Sequence, residues 1–179
     1  MRQDPMLERL LDERYSALVG YAVVVTGSRP DAEDAVHDAL ISVFSRRRKF
    51  QSLQHAEGYV KRAIASRFID AKRRGASRAA RELRSYVRDN PRAAPAPDEQ
   101  VSADAALGAA LKTLAPKVRA CVALRYLADQ SIAETARALG ISDGAVKRYT
   151  SDGLAALSTQ LGTDVTAAET ADVITGGTP

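Results

Sequence analysis

The sequence predicts an all-α protein of two small helical domains joined by a Pro-rich linker. Three observations predict it. Apolar residues recur at spacings of three and four along most of the chain, the period of a helix with one buried face. Aromatics make up 5% of residues and Trp is absent, so the core must be built from Ala, Leu, Val and Ile, a composition that suits helices better than sheets. A proline-rich stretch near residue 91 divides the helical pattern into two parts, and 179 residues suffice for two small domains.

The first helix is expected from Met6 to Val25. Leu7, Leu10, Leu11, Tyr15, Leu18, Val19, Ala22 and Val25 form its apolar face, and Gly27 ends it. Ser28 is the expected N-cap of the second helix, with Pro30 in its first turn. Asp31, Glu33 and Asp34 then place acids at the positive end of its dipole. Ala35, Val36, Ala39, Leu40, Val43 and Phe44 carry its buried stripe, and Arg46-Arg47-Arg48-Lys49 closes it. A third helix is expected from near His55 past Arg74, with Tyr59, Val60, Ala63, Ile64, Phe68 and Ile69 apolar and cations between them. Gly75 is expected to end or weaken it, and residues 76–88 could add a fourth, basic helix. The first domain is therefore a three- to four-helix bundle over residues 1–88.

Residues 89–101 read as a linker. Pro91, Pro95 and Pro97 with small and charged neighbours cannot form helix or core strand. The second domain, residues 102–162, is expected to hold four helices, with Pro116 opening the second and 131–139 and 143–161 forming the last two. Residues 163–179 lack strong periodicity, end in Gly-Gly-Thr-Pro and are expected to be a disordered acidic tail.

The net charge of +4 is unevenly distributed. Residues 1–45 hold four Lys/Arg against eight Asp/Glu, whereas residues 46–92 hold fifteen against four. Two neighbouring blocks of opposite sign imply two different partners, and the basic block has the footprint of a polyanion binder. No segment has a signal-peptide core or the roughly 20 apolar residues of a membrane span, so a cytoplasmic location is expected. The single cysteine, Cys121, excludes an internal disulfide and reads as a small buried hydrophobe. His37 and His55 lack metal-ligand spacing, and the chain has neither a GxxxxGK[ST] loop nor a GxSxG elbow. No enzyme, metal or cofactor is expected.

The sharpest local motif runs from Ser131 to Leu154, SIAETARALGISDGAVKRYTSDGL. Two short helices flank Gly140-Ile141-Ser142, with Ala136 small at the close approach and Gly140 able to take positive φ. Ile141 and Val146 fill the wedge, and Ser142 is the expected N-cap of the second helix. This is the pattern of a helix-turn-helix, whose second helix lies in the DNA major groove. Ser142, Asp143, Gly144, Lys147, Arg148 and Ser151 are its expected DNA-facing residues.

These motifs together resemble the extracytoplasmic-function (ECF) sigma factors of bacterial RNA polymerase. ALKTLAPKVRACVALRYLADQSIAETARALGISDGAVKRYTSDGLAAL is similar to their region 4, and DAEDAVHDALISVF with AEGYVKRAIASRFIDAKRR to their region 2. The resemblance spans roughly residues 7–161. It implies that Asp31, Glu33, Asp34, Val36, His37, Asp38 and Leu40 dock on the β′ clamp helices. It implies that Lys61, Arg62, Ser66, Arg67, Phe68, Lys72, Arg73 and Arg74 engage and help open the −10 element, and that the helix-turn-helix reads the −35 element. The implied partners are core RNA polymerase (β′ clamp helices and β flap), promoter DNA and an anti-sigma factor, with no membrane; the implied location is cytoplasmic, at the nucleoid. Phe44 stands where the family often has Trp, and Ser66 where it often has Asn. Tyr149 and Asp152 replace cations common in the recognition helix. A stand-alone helix-turn-helix regulator is the alternative reading. It accounts for residues 131–154 but not for an acidic helix followed by a basic one.

Overall fold

The structure, a computed structural model, describes residues 4–45, 48–85 and 103–162. The linker expected at 89–101, the tail expected at 163–179, and Arg46 and Arg47 lie outside the described residues. Every regular element among the described residues is helical: α1 (Pro5–Thr26), α2 (Arg29–Phe44), α3 (Leu53–Ser85), α4 (Ala103–Thr113), α5 (Pro116–Val122), α6 (Ile132–Leu139) and α7 (Asp143–Leu161).

Local chemistry sets the boundaries. The Asp4 carboxylate accepts from the Met6 N–H at 2.9 Å, and Pro5 occupies the first turn of α1. Gly27 ends α1 at φ 89°, a left-handed conformation that glycine adopts without the Cβ penalty. Ser28 caps α2 as expected, its Oγ accepting from Asp31 N–H at 3.3 Å. Ser52 does the same for α3, accepting from His55 N–H at 3.1 Å, so α3 starts slightly earlier than its apolar pattern suggests.

In α3 the expected range of three to four bundle helices narrows to three among the described residues. The helix runs unbroken through Gly75 to Ser85, so the N-terminal bundle has three helices and not four. Gly75 is exposed, and its helix cost of about 1 kcal/mol relative to Ala is met by the good helix formers around it.

α1, α2 and α3 pack on one another and bury Leu10, Leu18, Val25, Val36, Val60 and Ile64 completely. Burial of each such side chain contributes roughly 1.5–3 kcal/mol. In the C-terminal half, α5 continues as a π-helical turn over Ala123–Leu127, closed where the Leu124 carbonyl accepts from Gln130 N–H at 3.0 Å. Gly153 lets α7 lie against α5: a Cβ there would stand 2.6 Å from Val122 Cγ2.

The two halves are not separate bodies in this structure. α3 packs on α5, the π turn and α6, and α1 packs on α4, α5 and the π turn. The main core is continuous across the seam, joining Ala120, Cys121, Ala123, Leu124, Ala128 and Leu139 to the bundle residues. A smaller cluster of Ala110, Leu111, Leu114, Val122 and Leu157 lies between α4, α5 and α7, with Val24 of α1 against it.

Candidate nucleic-acid interface

α6, the turn and α7 form the helix-turn-helix. Gly140 has φ 62° and ends α6. The Ser142 hydroxyl accepts from Ala145 N–H at 3.2 Å and starts α7. Val146, Leu139 and Leu154 are buried, as the motif requires. Ile141 is half-buried and packs against the main core, so it faces the seam between the halves as well as the wedge. Ser131 and Glu134 complete a capping box at the start of α6. Glu134 N–H donates to Ser131 Oγ at 3.2 Å, and Ser131 N–H donates to Glu134 Oε2 at 2.9 Å. The S-x-x-E spacing was present in the sequence and is the signal by which this pair could have been read.

All six residues expected to face −35 DNA are exposed: Ser142, Asp143, Gly144, Lys147, Arg148 and Ser151. The Arg148 guanidinium lies 5.0 Å from the Tyr149 ring centroid, which steadies one cation at the middle of the helix.

The expected −10 residues divide into two groups along α3. Lys72, Arg73 and Arg74 are exposed, and so is Arg67, which pairs loosely with Asp38 at 3.5 Å. Lys61, Arg62 and Ser66 are partly buried. Lys61 Nζ donates to the Leu127 carbonyl at 3.1 Å and pairs with Glu57 at 2.8 Å. Arg62 donates to Gln130 Oε1 at 2.7 Å and to Glu134 Oε1 at 3.0 Å. Phe68 is 8% exposed and belongs to the core, because α5 brings Arg119 to within 5.2 Å of its ring centroid. The ring is buried, as its place in the apolar face of the helix leads one to expect, and does not reach outward.

A cleft of about 500 Å³ opens beside Arg62, lined also by Arg48, His55, Tyr59, Ser66 and Arg67. His55 and Tyr59 stack edgewise at its wall with centroids 5.0 Å apart, and Phe50 packs edgewise on both, at 6.0 and 5.6 Å. The guanidiniums of Arg48 and Arg62 lie 4.4 and 4.1 Å from the Tyr59 ring centroid. Aromatics interleaved with arginines suit the bases and backbone of a single strand. Of this lining, Arg62, Ser66 and Arg67 were among the residues read from the sequence as −10 contacts. The signal that could have found Phe50, His55 and Tyr59 is their placement between the cations of 46–49 and those of Lys61 and Arg62.

On α2, Asp31, Glu33, Asp34, His37 and Asp38 are exposed and form an acidic face. Val36 and Leu40 are not on it; they are 0% and 8% exposed and hold α2 to the bundle. Ile41, 56% exposed, takes the place of an apolar contact on that face.

Two polar groups mark the seam, Arg119 buried and Glu134 partly exposed. Arg119 is 6% exposed, its Nε has no hydrogen-bond partner among the described residues, and burial pushes its pKa down. Glu134 is held below the usual carboxylate range, chiefly by the Ser131 N–H, then by the Ser131 hydroxyl, with Arg62 adding to the effect. Cys121 is fully buried, and desolvation raises its thiol to about 11, so it behaves as a small hydrophobe. Among the described residues no three His, Cys, Asp or Glu side chains converge to hold a metal ion.

An acidic helix face, a basic helix beside an aromatic cleft and an open helix-turn-helix define a DNA-binding transcription protein. The comparisons give its kind. Residues 10–79 match the family Sigma-70 region 2, and residues 104–157 match Sigma-70, region 4. RNA polymerase sigma-E factor of Streptomyces coelicolor is 31% identical over 156 residues, covering 86% of this chain and 85% of that protein. ECF RNA polymerase sigma factor SigE of Mycolicibacterium smegmatis is also 31% identical, over 80% of this chain and 56% of that protein. The fold is shared with the sigma factor RpoE of Bartonella quintana, solved in complex with the anti-sigma factor NepR. The TM-score is 0.63 at 19% identity, over 88% of this chain and 97% of that one. The chain belongs to the ECF sigma factors of RNA polymerase.

Proposed function

We propose that this sigma factor binds core RNA polymerase and directs it to promoters through separate −10 and −35 contacts. The observation that carries the reading is the segregation of exposed charge. Acids crowd α2, cations crowd α3, and the α7 face is open. The acidic face, Asp31, Glu33, Asp34, His37 and Asp38 with Ile41, suits a basic surface such as the β′ clamp helices. Lys72, Arg73, Arg74 and Arg67, with the Tyr59 cleft, suit the backbone and unstacked bases of an opened −10 strand. Lys147 and Arg148 suit guanine edges or phosphates of a −35 duplex. The β flap and an anti-sigma factor are the further partners this reading carries.

The protein acts by association, and the polymerase supplies the chemistry. Among the described residues no helix is long and apolar enough to cross a membrane, and the reading puts the chain in the cytoplasm at the nucleoid. The test is reconstituted transcription. Core polymerase with this protein alone is expected to initiate at a discrete site on supercoiled genomic template. Retarded duplex with no binding to core and no start site would instead identify a stand-alone regulator.

A further inference from the structure

We propose that the cleft beside Tyr59 is a binding site for a diphosphate group, which free pyrophosphate and nucleoside triphosphates share, and that a bound diphosphate competes with the −10 strand. The competition rests on the reading that the strand enters this cleft; the site itself does not.

The lining is one-sided in charge. Arg48 comes from the segment between α2 and α3, Arg62 and Arg67 from α3, and Arg137 from α6. Against these four cations the lining holds a single carboxylate, Glu134, which is already engaged by the Ser131 N–H and by Arg62. Among the described residues no carboxylate lies within 4.0 Å of Arg48 or Arg137, and Arg67 has only its long contact to Asp38. A concave space walled by one sign of charge focuses the field and concentrates counter-ions.

Two of the cations are also held in place. The Arg48 and Arg62 guanidiniums both lie against the Tyr59 ring, and Arg62 is fixed further by Gln130. A cation–π contact restrains an arginine through the face of its guanidinium and leaves the in-plane N–H donors for other partners. Those planar forks match the oxygens of a phosphate in pairs. Because the forks are already ordered, less freedom is lost when an oxyanion arrives.

Charge and space choose the ligand. A single phosphate group carries about −1.5 to −2 near neutral pH, which falls short of four arginines. A DNA strand spreads its charge along the backbone, one per phosphodiester. A diphosphate concentrates more charge in one compact group. The cleft of about 500 Å³ has room for that group with a nucleoside attached, and Ser42 and Ser66 bring hydroxyls to the same lining.

The test titrates the full chain in a calorimeter, at fixed ionic strength and without divalent cations, with pyrophosphate, ATP, inorganic phosphate and AMP in turn. Pyrophosphate and ATP are expected to bind with Kd below about 1 mM, and about tenfold or more tightly than phosphate and AMP. ATP tighter than pyrophosphate assigns the site to nucleoside triphosphates, and ATP no tighter assigns it to free pyrophosphate; either result supports the site. Arg48→Gln and Arg137→Gln, exposed cations on different walls, should each weaken pyrophosphate roughly tenfold, as for the loss of one charge-assisted hydrogen bond. Arg9→Gln makes the same change of charge on the exposed face of α1 and should leave binding unaltered. Circular dichroism checks that each variant is folded. The inference is overturned by the absence of saturable binding, by phosphate bound as tightly as pyrophosphate, or by an equal loss in Arg9→Gln. Labelled single-stranded DNA is then titrated with and without saturating pyrophosphate, read by fluorescence anisotropy, and displacement is expected. A strand that stays bound overturns the competition, and with it the placing of the −10 strand in this cleft, while the diphosphate site stands. A strand that binds although pyrophosphate does not overturns the site alone.

Discussion

Arg62 and Glu134 are 72 positions apart in the sequence and 3.0 Å apart across the seam. One belongs to the basic helix expected to grip the −10 strand, the other to the first helix of the helix-turn-helix. The pair couples the two DNA-binding halves, and it also ties that coupling to the N-terminal cap of α6.

Acid should loosen this arrangement. The Glu134 carboxyl is depressed in the folded state, by Ser131 first and Arg62 after it. A depressed carboxylate stabilises fully above its unfolded value of about 4.3, and that contribution is lost as pH falls through the folded value. The difference in urea midpoint between wild type and Glu134→Gln is therefore expected to be largest at neutral pH and to shrink in acid. A difference that stays flat across the series would exclude this role for the charge.

Gly153→Ala should destabilise the C-terminal half, against the usual rule that Ala improves a helix. The new Cβ would meet Val122 Cγ2 at 2.6 Å and Val118 Cγ1 at 2.9 Å. Overpacking of this kind costs about 1–3 kcal/mol, more than the ~1 kcal/mol that Ala gains in helix propensity. Thermal denaturation followed by circular dichroism would register the lower midpoint.

Gly75→Ala and Gly140→Ala should move stability in opposite directions. Neither new Cβ meets any atom within 4 Å, so backbone conformation alone decides. Gly75 is mid-helix and exposed, and Ala there should stabilise by about 0.5–1 kcal/mol. Gly140 sits at φ 62°, and Ala there should cost about 1–2 kcal/mol. Denaturant melts of the two single variants make the comparison; the same sign for both would contradict it.

Lys147→Ala with Arg148→Ala should weaken duplex −35 binding without touching single-strand binding. Each lost phosphate contact flattens the slope of log affinity against log salt by about 0.9, so the pair should remove up to about 1.8. Titrations at several salt concentrations measure it. An unchanged slope with lower affinity would instead mean that both side chains read base edges.

Much of the molecule was legible because the relevant physics is local. Ser28, Ser142 and Gly140 act where their chemistry predicts, since a cap or a left-handed turn depends on a few adjacent residues. The helix-turn-helix and the two sigma-factor regions were readable for the same reason. Gly75 left the bundle open between three and four helices by sequence, and three form because a single exposed glycine is weak beside a long helix-forming context.

What the sequence by itself determined was which residues could meet a partner: the acids of α2, the cations of α3 and the open face of α7. Only the tertiary structure decided which of them are available. Phe68 and Lys61 sit on the basic helix by sequence, but Phe68 is covered by Arg119 and Lys61 is drawn to the Leu127 carbonyl. Ile41 is outward and Leu40 inward because α2 turns one specific stripe to α1 and α3. The reason is physical. Helical period and capping are set within one or two turns, whereas burial and ion pairing depend on which distant surface the chain brings alongside. No spacing along the sequence joins Arg62 to Glu134; the packing of α6 on α3 does.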